Sequence, residues 1–462
     1  MIESRPFQNE MLDAARAKLK QAVRKILLQS PTGSGKTILS AIMLGNAARK
    51  GLTCWFVVHR KELIRQSSSR FKQAEIPHSF IAAGMDYDKR HKVFICGVMT
   101  LARRLDKVGV PDIIVWDESR HIAAKSYDSI FNAYPDAIHI GLDATPERLD
   151  GQGMDKYFDC IIKGPSVAWL IEQGYLSKYK IYAPNPVSME GAKTVMGDYA
   201  KSETQKRMDK RSITGDAIGH YNKLCRGAQF IAFCSGVEHS MHVAEQFTAN
   251  GIPCLHVDGE TPDDERAEAM RKFEAREVLG LSNVELFGEG VDVPSLQAVI
   301  LLRPTQSRSL HLQQIGRALR PAANKPYAVI LDHAGNSLRL GLPDDEVDWT
   351  LEGSPRGKGK AKQEVMVKSC PECFAVVRNT VITCQCGHRF VPKERKVNVK
   401  EGELQEVDVE ALRRNRLNEQ REAASLEALT DLGIRRGYKN PAAWAWNLTK
   451  ARDMKRAKRT AR

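Results

Sequence analysis

From Lys25 to about Asp143 the chain alternates short apolar runs with segments whose apolar residues fall at helical spacing. KILLQS leads into a glycine-rich turn and then TILSAIMLGNAARK. TCWFVVH leads into RKELIRQSSSRFKQ, and KVFICGV into MTLARRLDK. DIIVWDE and HIGLDAT complete the set. Runs that are apolar throughout mark strands buried on both faces. With helices between them, they predict a parallel sheet covered on both sides. The rhythm restarts after about Gly164 with AQFIAFC, PCLHVDG, VLGLSN, AVILLR and YAVILDH, separated by stretches such as GVEHSMHVAEQFTANG. The expected fold class is therefore α/β, with two tandem parallel-sheet domains at 1–164 and 165–350.

The pattern then changes. EGSPRGKGKAKQE has no apolar period and is rich in Gly, Lys and Pro, as a flexible basic linker would be (351–368). A cysteine cluster occupies 369–392. From 400 to 462 the period is helical again, in VEALRRNRLNEQREAASLEALTDLGIRRG, and the chain ends in the basic run KARDMKRAKRTAR.

The most specific local signal is SPTGSGKT, Ser30 to Thr37, placed between a buried strand and a helix. Gly33 and Gly35 let backbone N–H groups close around phosphate oxygens, and the helix N-terminus adds partial positive charge. Lys36 supplies a cation to β- and γ-phosphates, and Thr37 a hydroxyl to magnesium. Such a loop needs a carboxylate at the end of a neighbouring strand. Asp117, after IIVW, suits the metal, and Glu118 suits the attacking water.

Composition narrows the partners. The chain has 462 residues, 42% of them apolar, a formal net charge of +14 and a pI near 9.2. That excess favours a polyanion, with nucleic acid first among the candidates. No run of eighteen apolar residues is present and the N-terminus lacks an apolar signal core, so no membrane partner is expected. Six of the ten cysteines are scattered as reduced core residues would be, which fits a cytoplasmic setting (the bacterial host cytoplasm, were the chain phage-encoded). Cys370, Cys373, Cys384 and Cys386 instead form Cys-x2-Cys-x10-Cys-x-Cys, four thiolates on two turns able to close a structural zinc site. The second knuckle is short by one residue, and His388 is an alternative ligand to one of its cysteines. Trp444 and Trp446 lie among cations in the tail. Stacking on bases and packing inside a small helical module are both open to them.

Taken together, these motifs resemble those of the superfamily 2 helicases of DEAD/DEAH type. The resemblance is closest to the phage and bacterial branch related to the motor subunits of type I and III restriction enzymes. It spans about Arg5 to Pro343. RPFQ resembles the adenine-sensing Q motif, with Gln8 at the base edge. SPTGSGKT stands as motif I, VVHRKELIRQ as Ia, DESR as II, DATPER as III, FCSGVEHS as IV, FGEGVDVP as V and QQIGRALRP as VI. The resemblance implies two RecA-like domains, to which the cysteine spacing and the tail pattern add a zinc ribbon and a small helical basic module. It implies an ATP- and Mg2+-dependent nucleic-acid motor, with DNA favoured and RNA as the alternative; a monomer is compatible with it. It places Arg5, Gln8, Thr32, Gly33, Ser34, Gly35, Lys36, Thr37, Gly290 and Asp292 at the nucleotide. Arg317 and Arg320 are its arginine fingers, Gln313 completes the catalytic set, and Arg60 and Thr100 touch nucleic acid.

Two positions depart from the family together. The fourth residue of motif II, usually His or Asp, is Arg120; the first of motif III, usually Ser or Thr, is Asp143. Opposite charges at two positions that normally touch suggest an ion pair replacing a smaller polar contact. Arg120 reaching Gln313 or a phosphate, and His121 taking over by a one-residue shift, are the rival readings. The altered box also leaves room for a nucleic-acid-binding protein whose motor binds ATP without turnover.

Overall fold

The computed structural model describes all residues except 1–3, 149–151, 185–186, 196, 287–295, 323–324, 353–365, 392–408, 439 and 461–462. The chain divides into two compact units, Met1–Val391 and Pro392–Arg462.

Within the first unit, seven parallel strands form the first sheet. They are β1 (Lys25–Gln29), β2 (Cys54–Val58), β3 (Ser79–Ile81), β4 (Val93–Gly97), β5 (Ile113–Asp117), β6 (Ile138–Asp143) and β7 (Cys160–Lys163), in the order β3-β4-β2-β5-β6-β1-β7. β1 lies between β6 and β7, with Gln29 opposite Asp143. β5 and β6 are neighbours, with Asp117 opposite Leu142. The loops that carry motifs I, II and III therefore leave the same edge of three adjacent strands, at their C-terminal ends. Ligands of open α/β sheets bind at that edge.

Of the interior strands, β2 and β5 are buried at every residue, and β1, β4 and β6 at all but one terminal residue. Side chains alternate between two apolar layers. Phe56, Val115 and Ile140 face one, while Trp55, Trp116 and Phe131 fill the other. Trp116 Nε1 donates to His139 Nδ1 at 3.2 Å, and the other ring nitrogen of His139 meets Tyr134 O at 2.9 Å. The imidazole is thus held neutral under the β5–β6 pair, and burial pushes its pKa down to about 4.

The second sheet begins with β8 (Tyr179–Tyr182). A short antiparallel hairpin, β9 (Thr194–Val195) and β10 (Asp198–Tyr199), follows outside it. β11 (Phe230–Phe233), β12 (Cys254–Val257), β13 (Gly280–Asn283), β14 (Ala298–Leu301) and β15 (Ala328–Asp332) complete the sheet, in the order β12-β13-β11-β14-β15-β8. All five pairings are parallel. The fold is therefore two parallel-sheet α/β domains of RecA-like type.

The connector and the exit of the second domain both lie against the first. Phe7 of the first helix (Pro6–Lys20) meets Trp169 and Tyr175 edge-on, with centroids 6.0 and 5.4 Å apart. After the second sheet the chain returns: Asp348 pairs with Lys163 at 2.5 Å, and Leu351 O accepts from Met154 N at 2.7 Å. Residues 348 and 351 thus contact the first domain.

The cysteine segment forms a hairpin of β16 (Val367–Ser369) and β17 (Val376–Arg378). It docks on β8: Ala183 N donates to Phe374 O at 2.9 Å, and Tyr182 bridges Ala375. An otherwise open sheet edge is thereby covered. The linker expected at 351–368 falls mostly on 353–365, outside the described residues. In the second unit, Val409–Glu422, Leu426–Arg435 and Pro441–Thr460 are helical. Trp444 packs there against Tyr438, with centroids 5.0 Å apart, whereas Trp446 is exposed. No described helix is long and apolar enough to cross a membrane.

Candidate active site

The phosphate loop starts where β1 ends. Ser30 N donates to Asp143 O at 2.8 Å, so the loop and motif III share an anchor. Gly33 and Gly35 have φ of 86° and 90°, a region in which any side chain is strained. Ser34 Oγ lies 2.6 Å from Ser30 Oγ and donates to Pro31 O at 2.6 Å, which stiffens the turn. Lys36 opens the helix Lys36–Arg49, and its ammonium donates back to Ser30 O at 3.3 Å. Thr37 follows in the same turn, so the cation, the hydroxyl and the free helix amides converge.

Gln8 is buried beneath this loop. Its Nε2 donates to Ser34 O at 3.1 Å and Gly35 O at 3.3 Å, and its Oε1 accepts from Arg5 N at 3.0 Å. These bonds brace the phosphate loop from beneath. The Arg5 guanidinium lies over the Tyr175 ring, 4.8 Å from its centroid.

Asp117 ends β5, buried. Burial first, and then the Glu118 charge, push its carboxyl up to about 7, against the pull of Lys36. A divalent cation at this carboxylate would reverse that balance. Glu118 has φ 49° and ψ 56°, a left-handed conformation that a non-glycine residue holds at a strain of about 1–3 kcal/mol.

Arg120, also buried, is the hub. Its Nη1 lies 2.8 Å from Asp143 Oδ1 and 2.5 Å from Glu118 Oε2. Its backbone N donates to Asp143 Oδ2 at 2.8 Å, and Thr145 N donates to Asp143 Oδ1 at 3.0 Å. The Gln313 amide, oriented with its oxygen toward the guanidinium, accepts from Nη1 at 2.9 Å and Nη2 at 2.5 Å. Burial raises the Asp143 carboxyl and Arg120 opposes the rise. The Asp143 and Gln313 contacts, weighed as rivals in the sequence, are thus both made by one side chain. The His121 ring lies elsewhere, 5.1 Å from the ring of His59.

Three further contacts join the domains here. Thr145 Oγ1 and Ser309 Oγ are 2.5 Å apart. Gly316, on the helix Arg308–Ala318, faces Thr32 so closely that a Cβ would sit 2.7 Å from the threonine side chain. The stem of Arg320 lies against Gly33. Arg317, next to Gly316, is buried on the same helix. Gly290 and Asp292 lie outside the described residues.

The expected nucleic-acid residues lie apart from this cluster. Arg60 Nη1 donates across the cleft to Leu286 O at 3.1 Å and Glu285 O at 3.3 Å. Thr100 is half-buried in the short helix Val98–Leu101. Ser309 went unnoticed in the sequence, although it sits four residues before Gln313 and so shares its helix face.

At the cysteine cluster, the four Sγ atoms lie within 4.8 Å of one another. The Cys370–Cys386 and Cys373–Cys384 pairs are 3.6 and 3.5 Å apart. Metal–sulfur bonds of about 2.3 Å in a tetrahedron put sulfurs roughly 3.8 Å apart, so the donor set fits a four-coordinate metal. His388 turns its ring onto Phe390, with centroids 5.1 Å apart.

Fold and site define a two-domain, nucleotide-driven motor, and comparison with known proteins agrees. Residues 1–148 match the type III restriction enzyme res subunit family, and 214–322 the helicase conserved C-terminal domain. A 51.5 kDa protein of Lactococcus phage (isolate 7-9) is 34% identical over 405 residues, 87% of this chain and 86% of its own. A proposed ATP-dependent helicase of Saccharomyces cerevisiae is 27% identical over 75% of this chain, which spans 54% of that relative's length. A DNA 3'-5' translocase of Sulfurisphaera tokodaii is 25% identical over 69% of this chain and 79% of its own. Among solved structures, a proposed HsdR subunit fragment of a Vibrio vulnificus type I restriction enzyme superposes with a TM-score of 0.58. It is 20% identical over 76% of this chain and 67% of its own. The chain belongs to the superfamily 2 helicases, nucleic-acid-dependent ATPases, in the branch related to restriction-enzyme motor subunits.

Proposed function

We propose that this chain hydrolyses Mg-ATP to move along or remodel DNA. The observation that carries the reading is the apposition of Gly316 and Arg320, from the second domain, to Thr32 and Gly33 of the phosphate loop. A nucleotide bound by Lys36 and Thr37 lies within reach of a finger helix that the other domain owns. Hydrolysis then changes what holds the domains together. Thr37 and Asp117 hold magnesium, Glu118 orients the attacking water, and Arg317 and Arg320 stabilise the charge developing on the transferred phosphoryl group. The net charge of +14 suits a nucleic acid of either kind; DNA is favoured over RNA by the DNA translocase among the relatives and by the restriction-enzyme likeness.

Arg120, Asp143 and Gln313 form the coupling contact, linking motifs II and III to the finger helix. Arg60 and Thr100 contact the sugar–phosphate backbone once Arg60 leaves the 285–286 carbonyls. The four cysteines hold a structural zinc, and the ribbon serves the second domain by covering β8. The reduced thiols suit a cytoplasmic setting. The Arg120–Glu118 bond favours a second reading, in which the motor binds ATP without turning over. Phosphate release with single-stranded DNA, forked DNA and RNA separates the readings. DNA-stimulated release supports the motor. Stimulation by RNA alone moves it to RNA, and tight ATP binding with no release on any ligand supports the second reading.

A further inference from the structure

Among the described residues outside the family motifs, Lys325 is the cation most deeply engaged with the motor's backbone. Its ammonium donates to Leu296 O at 2.7 Å, to Arg320 O at 2.7 Å and to Ala318 O. A helix leaves its last carbonyls without partners and carries partial negative charge at that end. The finger helix ends at Ala318, so the ammonium satisfies that end and reaches two residues further, to Arg320 itself. The third carbonyl lies two residues before β14, on the strand that enters the sheet beside β15. Ser177 assists from the connector: its N donates to Leu319 O at 2.7 Å and its Oγ to Arg320 O at 3.2 Å.

We propose that Lys325 is a positioning residue for the Arg320 finger, holding the finger's backbone against the phosphate loop by three carbonyl bonds. This rests on Arg320 acting as a finger. The geometry explains why a lysine stands there. Three carbonyls converge on one point, an ammonium has three N–H donors, and no neutral side chain supplies as many. It also explains why displacement matters. The Arg320 stem packs on Gly33, which has no Cβ, and a Cβ there would already crowd Leu176 at 2.8 Å. A backbone released by a few tenths of an ångström carries the guanidinium away from the transition state, and misplacement of about 1 Å costs on the order of a hundredfold in rate.

The test uses the full chain with saturating DNA. Steady-state kcat and KM for ATP are measured together with affinity for Mg-ADP alone and Mg-ADP with aluminium fluoride, which mimics the transferring phosphoryl group. Lys325→Met should lower kcat by about tenfold or more and leave KM within about twofold, because a finger acts in the transition state. It should weaken the aluminium fluoride complex while leaving Mg-ADP affinity unchanged. Lys325→Gln, which restores some of the donors, should recover part of both losses, and it carries the test should the methionine variant not fold. Arg320→Ala is the reference arm. If it leaves the aluminium fluoride complex unaffected, the finger assignment itself fails. If Arg320→Ala weakens that complex and the folded Lys325 variants do not, or if they raise KM and weaken Mg-ADP equally, the positioning role is wrong.

Discussion

The phosphate loop and the acidic box face each other across one sheet edge, yet they are built on different principles. The loop is a backbone device. Two left-handed glycines, a Gln8 amide beneath and a serine pair shape it, and one ammonium is the main charged contribution. The box is a side-chain device, in which one buried guanidinium serves Asp143, Glu118 and Gln313. A backbone device tolerates almost no change, because substitution at Gly33 or Gly35 is strained whatever the space. A side-chain device can be rewritten, provided buried charge remains balanced. That is why the loop reads SPTGSGKT in full while the box departs from its family at two positions at once.

Substitutions on each side should separate the two principles. Lys36→Ala should have the largest effect, reducing DNA-stimulated ATPase to background while the melting temperature holds, since its one bond to Ser30 O is long. Glu118→Gln should come next. If Glu118 orients the attacking water as proposed, phosphate release should fall by about a hundredfold or more while ATP still binds. Loss of the metal should be milder for the chemistry. Protein purified without chelator should hold about one zinc per chain. Cys370→Ser should abolish it and expose the ribbon to protease, with basal ATPase within about twofold of the parent, because the ribbon docks on β8.

The smallest effect tests the frame beneath the box. His139 is held neutral at about pH 4 and above, against about 6.5 in an unfolded chain. Between those values the unfolded state binds the extra proton, so stability rises with pH through this window and is lost as pH falls through it. The Trp116 N–H, which aims at Nδ1, leaves an imidazolium no acceptor there. Melting temperatures from pH 4 to 7 should show a slope that His139→Gln reduces. Buried His239 and His311, also at about 4, maintain the remainder.

Sequence pattern reached unequal depths in these regions. The interior strands were legible because parallel strands covered on both faces must be apolar throughout, as CWFVV and IIVW are. β3, β7 and β8 were not, being edge strands of three or four residues, with β7 and β8 mostly half-exposed. The phosphate loop was legible because its chemistry dictates glycine spacing. The turn of Gln8 toward the loop was not, since an amide serves a base or a backbone carbonyl equally well. Nor was the engagement of Arg60 with Leu286 O, because one arginine suits a phosphate or a carbonyl. The Arg120–Asp143 contact was legible only as a compensated change of charge. Ser309 and Lys325 escaped because a helix serine and a loop lysine are ordinary until folding brings their partners near.

Arg120 and Asp143, in the proposed mechanism, together replace the family's polar contact between motifs II and III. The most direct measurement is a double-mutant cycle of Arg120→His, Asp143→Thr and the pair, read in DNA-stimulated ATPase and strand separation. Breaking one partner of a buried pair costs about 3–5 kcal/mol, so each single change should reduce both activities severely. The double variant, which restores family-like residues, should recover much of the loss. Losses that add across the cycle in both assays would show that Arg120 and Asp143 act independently.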